Sequence, residues 1–313
     1  MLRYIVPIIL VLGNIGNFIL LGFFSQKHIR INSCSAYLFT AALFSIIGSY
    51  CALIPFIYAA YYPDPFGRFL ILCRLRLYIG YICAMTFRSM IVLATIDRYA
   101  LTSSRSTFRT FASISTARRA IITTFLFWSA AGFHLLIGPR IENNRCLLYG
   151  LYGFLFSVFQ LLSFGILPSV LMIVFALLLI KNIRQSRTRS GSHYTKSFLR
   201  KRDRNLIELV YTEILLNFIC TLPYSIFSIY MGLTNDIQNK STRRIQVESL
   251  TFFFFITFLL YLMGYSTTFY GYLVMSKSFR REIRSELWKL IGTRSVTTQS
   301  ELGKEQNSLG LLS

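Results

Sequence analysis

The chain has 313 residues, of which 54% are hydrophobic and 14% are charged, and its formal net charge at pH 7 is +21. A soluble domain normally carries about 25% charged residues, so this composition argues against a soluble protein. The basic excess would suit nucleic acid if it covered one surface. It is instead distributed among connections between apolar stretches, which argues against a nucleic-acid partner.

Seven apolar blocks follow one another along the chain, each about as long as the roughly 20 residues that a helix needs to cross a membrane. They are continuous and do not alternate, which excludes a transmembrane β-barrel. The first block is too long for the core of a cleaved signal peptide, and no A-x-A-like site follows it. The pattern predicts an all-α membrane protein, a seven-transmembrane helix bundle, with spans at about 4–25, 34–60, 69–97, 119–138, 152–180, 205–232 and 249–275.

Two further segments follow the last block. Residues 277–291 place apolar side chains at helical spacing among basic ones, which predicts a short amphipathic eighth helix on the membrane surface. We therefore expect one domain over residues 1–291. Residues 292–313 are polar and rich in Ser and Thr, and they are expected to form a disordered cytoplasmic tail.

The basic residues indicate how the bundle is oriented. Of the 33 Lys and Arg residues, 23 fall in alternate connections and in the C-terminal region, nine of them between Lys181 and Arg204. Lys and Arg in short loops mark the cytoplasmic side. The pattern predicts a multi-pass plasma-membrane protein with its N-terminus extracellular and its C-terminus cytoplasmic. The same residues would attract anionic membrane lipid.

Two of the six cysteines lie on the predicted extracellular side. Cys73 is near the start of the third block, and Cys146 is in the loop between the fourth and fifth blocks. Disulfides persist in such an oxidising compartment, so a Cys73–Cys146 bridge is expected, with two unrelated thiols as the alternative. Asn239 begins an Asn-Lys-Ser sequon in the last extracellular loop, a weak signal for glycosylation.

Several charged residues fall within or beside the blocks, where isolated charge is costly and usually functional. Arg88 precedes Arg98 by ten residues, and Glu213 follows Asp203 by ten. Because the third and sixth helices run antiparallel, Arg88 and Glu213 should lie at similar depth. We expect them to form an interior polar pair, with Asn217 as a further partner.

The triplet Asp97-Arg98-Tyr99 ends the third block, and a basic connection follows it. Asp203, at the start of the sixth block, would clamp the two helices together if it paired with Arg98. The alternative is that Asp203 is one solvated charge among many. Pro168 and Pro223 interrupt the fifth and sixth blocks and predict kinks that would let the cytoplasmic halves move.

These features, in this order and on these sides, resemble rhodopsin-like (class A) G-protein-coupled receptors. The resemblance covers about residues 4–290 and is carried by Gly16-Asn17, Cys73, Asp97-Arg98-Tyr99, Trp128, Cys146, Pro168, Pro223 and the stretch after the seventh block. It implies an extracellular ligand and a heterotrimeric G protein as partners. It also implies that Asp97, Arg98, Tyr99, Asp203 and Tyr272 form the switch that couples to the G protein.

The chain departs from this family at several positions. Ser45 stands where the family usually has a buried Asp, and Thr221 stands where it usually has a Trp, two residues before the proline of the sixth span. The seventh-span Asn-Pro-x-x-Tyr motif keeps only Tyr272, and Ala176 replaces the usual Tyr of the fifth span. With these replacements the chain resembles divergent invertebrate receptors, similar to those for FMRFamide-type and other peptides.

The expected ligand is a peptide or an amphipathic small molecule. The seventh span has no Lys for a retinal Schiff base, and Gly80 stands where amine receptors carry Asp. Two arginines near the pocket mouth favour an anionic or carbonyl-rich group, and the many tyrosines suit a peptide, although an interfacial aromatic belt is the alternative for some of them. The candidate pocket residues are Arg74, Arg76, Gly80, Tyr81, Gln160, Tyr224 and Glu248.

The alternative function is a transporter or channel-like protein. The sequence shows no internal repeat and no pair of broken helices in corresponding halves, which disfavours that reading. An enzyme is disfavoured too, because the three histidines have no carboxylates at metal-ligand spacing and no nucleophile motif is present. No metal or cofactor is therefore expected.

Overall fold

The computed structural model describes residues 2–26, 32–103, 106–142, 145–148, 150–189, 212–237, 244–275, 279–281 and 283–284. Its helices are Leu2–Ser25, Ser33–Ala59, Leu70–Thr102, Ser106–Phe111, Ile114–Ala131, Gly150–Gln160, Leu167–Arg189, Leu222–Ile237, Arg244–Ser266 and Thr268–Met275. A 3-10 turn, Gly132–Leu136, extends the fifth of these, and π-helical turns occupy Leu161–Ile166 and Asn217–Thr221.

Within the described residues, six helices are long and apolar enough to cross a membrane, and a bent pair supplies the seventh span. The predicted all-α, seven-transmembrane fold is therefore confirmed. We number the spans one to seven along the chain, as Arg3–Ser25, Ser33–Ala59, Leu70–Thr102, Ile114–Leu136, Gly150–Gln185, Thr212–Tyr230 and the pair Phe252–Gly264 with Thr268–Val274. Many of their large apolar side chains, such as Leu126, Phe127 and Leu177, are exposed, as a lipid-facing surface requires.

Span three is the centre of the bundle. Its buried residues, including Met85, Phe87, Met90 and Ile91, form the main hydrophobic core with buried residues of spans two, four and five. The helix continues through the Asp97-Arg98-Tyr99 triplet to Thr102, five residues beyond the expected end of the third block. The triplet is thus helical, and its first two side chains are buried.

One end of the bundle carries a short hairpin. Strand β1, Arg140–Glu142, pairs antiparallel with strand β2, Arg145–Leu147, and Ile141 is opposite Cys146. The Cys73–Cys146 disulfide joins β2 to the start of span three, with 5.7 Å between the Cα atoms. The expected bridge is therefore confirmed. We call this the disulfide end of the bundle and the opposite one, where Asp97 lies, the triplet end.

Spans five and six each change to π-helical geometry just before their proline. The π-helical turns end at Ile166, two residues before Pro168, and at Thr221, two residues before Pro223. A proline has no N–H to donate to the carbonyl four residues earlier, and those residues, Phe164 and Ile219, lie inside the π-helical turns. Both spans therefore deform where the prolines predict kinks.

Span seven differs from the continuous helix expected over 249–275. It bends by 67° at Thr267, without a proline. The hydroxyl of Thr267 donates to the carbonyl of Met263 at 2.9 Å, the same oxygen that accepts its backbone N–H. Beyond the bend, Gly271 lies against span six so closely that an added Cβ would be 2.6 Å from the methyl carbon of Thr212.

The few described residues after span seven dock on the bundle. Phe279 and Ile283 are buried in a cluster with Leu20, Phe23 and Tyr272. Arg280 donates from Nη1 to the carbonyls of Leu273 and Val274 at 2.7 and 2.6 Å, which caps the last turn of span seven. Most of the predicted eighth helix, and the tail at 292–313, lie outside the described residues.

Candidate functional site

A buried arginine lies where spans three, five and six meet. Arg88 is only 4% exposed. Its Nη1 is 3.8 Å from Oε2 of Glu213, and its Nη2 donates to Oγ1 of Thr221 at 3.2 Å. The guanidinium carbon lies 4.9 Å from the ring centre of Phe164 in span five. One side chain of span three therefore contacts both neighbouring spans.

The contacts of Arg88 fall on the irregular parts of those spans. Phe164 belongs to the π-helical turn of span five, and Thr221 is the last residue of the π-helical turn of span six. Such turns inside helices are frequently found at functional sites, because they are wider and less regular than the helix around them. The guanidinium of Arg88 thus joins two helices at the points where each departs from α-helical geometry.

Glu213 extends the cluster to span seven. It is 2% exposed, and the side chains of Thr268 and Tyr272 approach its carboxylate closely enough to interact with it. Tyr272 is itself 2% exposed and packs edge-on against Phe279. The side chain of Asn217, the expected further partner, lies outside the described residues. Spans three, six and seven therefore meet at one buried polar cluster, Arg88, Glu213, Thr221, Thr268 and Tyr272.

The triplet end carries the second group of predicted residues. Asp97 and Arg98 are 5% and 8% exposed, and Nε of Arg98 is 4.0 Å from Oδ2 of Asp97. The ring of Tyr99 packs against Phe175 of span five, with 5.5 Å between ring centres. Asp203, the expected partner of Arg98, lies outside the described residues.

The two arginines near the disulfide end have different surroundings. Arg74 donates from Nη2 to the carbonyl of Ile137 at 2.8 Å and from Nε to that of Pro139 at 3.4 Å, which holds the segment before β1. Arg76, partly buried, lies over the rings of Phe56 and Phe66, with 4.8 and 5.2 Å from its guanidinium carbon to the ring centres.

The remaining predicted pocket residues are not all in one place. Tyr81 packs against Trp128 and Phe156, between spans three, four and five. Tyr224 stacks on Tyr261 of span seven at 4.8 Å between ring centres. Gln160, partly buried, directly precedes the π-helical turn of span five.

Gly80 faces open space, since an added Cβ would meet no atom within 4 Å. The side chain of Glu248 and the sequon at Asn239 lie outside the described residues. Among the residues that are described, no group of three or more His, Cys, Asp or Glu side chains is arranged to hold a metal ion.

Comparison with models of protein families gives a match. A model of the family described as "7 transmembrane receptor (rhodopsin family)" matches residues 16–263, well over half of the chain. The chain belongs to the rhodopsin family. No curated protein matches it.

At two positions where this rhodopsin-family chain departs from the usual residue, the structure shows what the replacement contacts. Thr221, which stands where the family usually has a Trp, accepts a hydrogen bond from Arg88. Ser45, which stands where the family usually has an Asp, is fully buried and accepts a hydrogen bond from Nδ2 of Asn17 at 3.0 Å. Each replacement is thus a small hydroxyl side chain engaged with a neighbouring span.

Sequence reasoning missed three contributors to these sites. Thr221 and Phe164 contact Arg88, and Arg280 caps span seven. The family pattern marked Thr221 only as a replaced Trp, and Phe164 carries no charge or motif that distinguishes it among so many apolar neighbours. Arg280 falls within residues 277–291, where the helical pattern predicts a basic residue on the membrane surface and not a cap.

Proposed function

We propose that this chain is a G-protein-coupled receptor that converts the binding of an extracellular ligand, a peptide, into activation of a heterotrimeric G protein. It would act in the plasma membrane with its N-terminus extracellular and its C-terminus cytoplasmic. The disulfide end is then the ligand-binding end, and the triplet end contacts the G protein. The observation that carries the proposal, beyond family membership, is the buried polar cluster that joins spans three, six and seven.

In this proposal span six has two positions, one held against span three by the cluster and one moved away from it. With Arg88 held by Glu213 and Thr221, span six is tied to span three, and Tyr272 of span seven lies against Glu213. If span six moves away from span three, these contacts break together. A ligand that binds better to the open arrangement shifts the population toward it by as much as its difference in affinity.

Binding at the two ends is coupled under this proposal. An agonist at the disulfide end and a G protein at the triplet end would favour the same arrangement, so each would tighten binding of the other by the same factor. The Arg98–Asp203 pair is proposed as a second contact that opens in the same transition. In the closed arrangement the carboxylate of Asp97, 4.0 Å from Nε of Arg98, would balance part of the charge of Arg98 as well.

The peptide subtype and the membrane contacts belong to the same proposal. Aromatic rings at the disulfide end, including Phe56, Tyr224, Phe258 and Tyr261, form a continuous set that suits apolar side chains of a peptide.

The proposed amphipathic helix at 277–291 would lie on anionic lipid of the cytoplasmic leaflet, and the tail at 292–313 would follow it without fixed structure. Docking of Phe279 and Ile283 on the bundle supports the start of that helix.

The test is nucleotide exchange on purified heterotrimeric G proteins by the receptor in lipid nanodiscs. We expect Asp203→Asn to raise basal exchange because it releases Arg98, and Arg98→Gln to lower agonist-stimulated exchange. Arg68→Gln removes an arginine charge at an exposed position of the disulfide end, away from the proposed G-protein contact, and exchange should stay at the level of the unaltered receptor. If no G-protein class shows exchange above the receptor-free level with any variant, the proposal is wrong. Ligand-dependent flux into liposomes without exchange would favour the transporter alternative.

A further inference from the structure

Arg76 is a partly buried cation that lies over two aromatic rings near the disulfide end. It lies one helical turn from the disulfide cysteine Cys73, and its guanidinium is placed over Phe56 and Phe66. Among the described residues, no hydrogen bond or ion pair reaches it. Asp64 attracts it electrostatically without forming an ion pair, and one oxygen of that carboxylate accepts the backbone N–H of Phe66. A guanidinium has five N–H donors, so this arrangement leaves them available to a ligand.

Arg74, two residues earlier, is occupied by the protein itself. Residues two apart on a helix point about 200° apart, so the two arginines face nearly opposite sides of span three. Arg74 turns toward the segment before β1 and donates to two of its carbonyls. Its task is to hold that segment. Of the two arginines that the sequence singled out, Arg76 alone is placed to bind a ligand.

An aromatic wall stands beside Arg76. Phe56 of span two packs on Phe258 of span seven with 5.1 Å between ring centres, and Phe258 packs on Tyr224 of span six at 5.5 Å. Tyr224 lies close enough to Arg76 to interact with it electrostatically. The guanidinium and the three rings therefore lie next to one another around one site, to which spans two, three, six and seven each contribute a side chain.

We infer that Arg76 binds a carboxylate of the receptor's ligand and that the wall of Phe56, Phe258 and Tyr224 takes the apolar group next to that carboxylate. A carboxylate matches the planar fork of one guanidinium in two parallel hydrogen bonds. The flanking rings fit an aryl or aliphatic substituent. The inference rests on the proposed function in one respect, namely that the disulfide end binds the ligand. The carboxylate belongs either to a small organic acid or to the free C-terminus of a peptide.

The experiment compares acids with their uncharged derivatives on the purified receptor. The readout is thermal unfolding, which needs no G protein. The small-molecule probes are phenylacetate, 3-phenylpropionate and octanoate, each with its methyl ester, at concentrations up to the millimolar range. The peptide probes are short peptides ending in Phe, each as the free acid and as the amide. We expect at least one acid to raise the unfolding temperature while its ester or amide does not.

Variants then assign the effect to Arg76. Arg76→Gln should weaken the stabilising acid by about tenfold or more, because a hydrogen-bonded charge is lost. Arg76→Lys should lie between Gln and the unaltered residue. Arg68→Gln removes the same charge from an exposed position at the same end and should have no effect.

Each outcome decides the inference. Equal effects of acids and their uncharged derivatives, no effect of any probe, or full retention by Arg76→Gln would overturn it. If Arg76→Gln does not give folded protein, Arg76→Lys decides in its place, and full retention of the acid effect by that variant would overturn the inference. An acid effect without nucleotide exchange would keep this site and reject the proposed function, whereas exchange driven equally by amidated and free-acid peptides would do the reverse.

Discussion

The buried pair Arg88–Glu213 gives the most quantitative test of how this bundle is held together. Two charges 3.8 Å apart attract by about 4 kcal/mol at an effective dielectric constant of about 20. Removing each ion from water costs several kcal/mol, so the intact pair contributes little net stability. Removing one partner is different. It leaves the other charge buried, and such changes cost about 3–5 kcal/mol.

We therefore expect Arg88→Met and Glu213→Leu to be destabilising singly and close to neutral together. The two single losses should differ. A stranded carboxylate can bind a proton, whereas a stranded guanidinium stays charged, so Glu213→Leu should cost more. Arg88 would keep its bond to Thr221 in that variant, which limits the loss but does not neutralise the charge.

Thermal unfolding with a thiol-reactive dye suits this chain, because Cys34, Cys83 and Cys220 are buried thiols outside the disulfide. On the scale of soluble domains, about 3–5 kcal/mol corresponds to a fall of roughly 6–10 °C in the unfolding temperature. Arg119→Met, at an exposed position, is the control and should change it by less than about 1 °C. If the single variants behave like that control, or if the double variant loses the sum of the two, the pair is not coupled.

Three further changes test the packing around these sites. Cys73→Ala should cost about 2–5 kcal/mol, and a reductant should lower the unfolding temperature of the unaltered protein but not of the variant. Gly271→Ala should cost about 1–3 kcal/mol because its Cβ would collide with span six, whereas Gly22→Ala, which has open space, should be neutral by the same thermal assay. Arg280→Gln should lower the unfolding temperature by a few degrees through loss of two charged hydrogen bonds, and Arg281→Gln, which is exposed, should not.

The fold followed from the sequence because membrane thickness sets the length of an apolar block. Seven blocks of that length leave few other architectures, and the helical bundle was predicted correctly. The bend in span seven was not. It occurs at Thr267 with no proline, and a side chain that competes for a helix carbonyl is too common in apolar segments to predict a 67° turn.

Counting residues along the helices brought Arg88 and Glu213 to the same depth, and their charged atoms lie 3.8 Å apart. Counting did not identify Thr221, because it assumes 3.6 residues per turn. A π-helical turn shifts every later residue of the helix to a different face. The face of Thr221 therefore depends on the π-helical turn at Asn217–Thr221, which a proline allows but does not specify.

The same limit applies at the disulfide end. Arg74 and Arg76 were predicted together, as two cations near a pocket mouth. Which one binds backbone carbonyls depends on where the hairpin segment lies, and the disulfide alone does not fix that position. The carbonyls of Ile137 and Pro139 happen to lie on the Arg74 side of span three. The sequence therefore predicted both arginines as ligand contacts, and only the path of the segment before β1 shows that Arg74 binds the protein itself.

One departure from the family pattern, Thr221, is connected in space with the buried pair Arg88–Glu213, and this bears on how the bundle would switch. Thr221 accepts a hydrogen bond from Arg88, which a Trp at that place could not do because its indole N–H only donates. Glu213 balances the charge that Arg88 brings, and Tyr272, kept from the seventh-span motif, lies against Glu213. Where the family usually has a Trp, this chain therefore has a small hydroxyl beside a paired, buried charge. Leaving one of two buried charges without its partner costs about 3–5 kcal/mol, so we expect the closed arrangement of this receptor to depend on the pair.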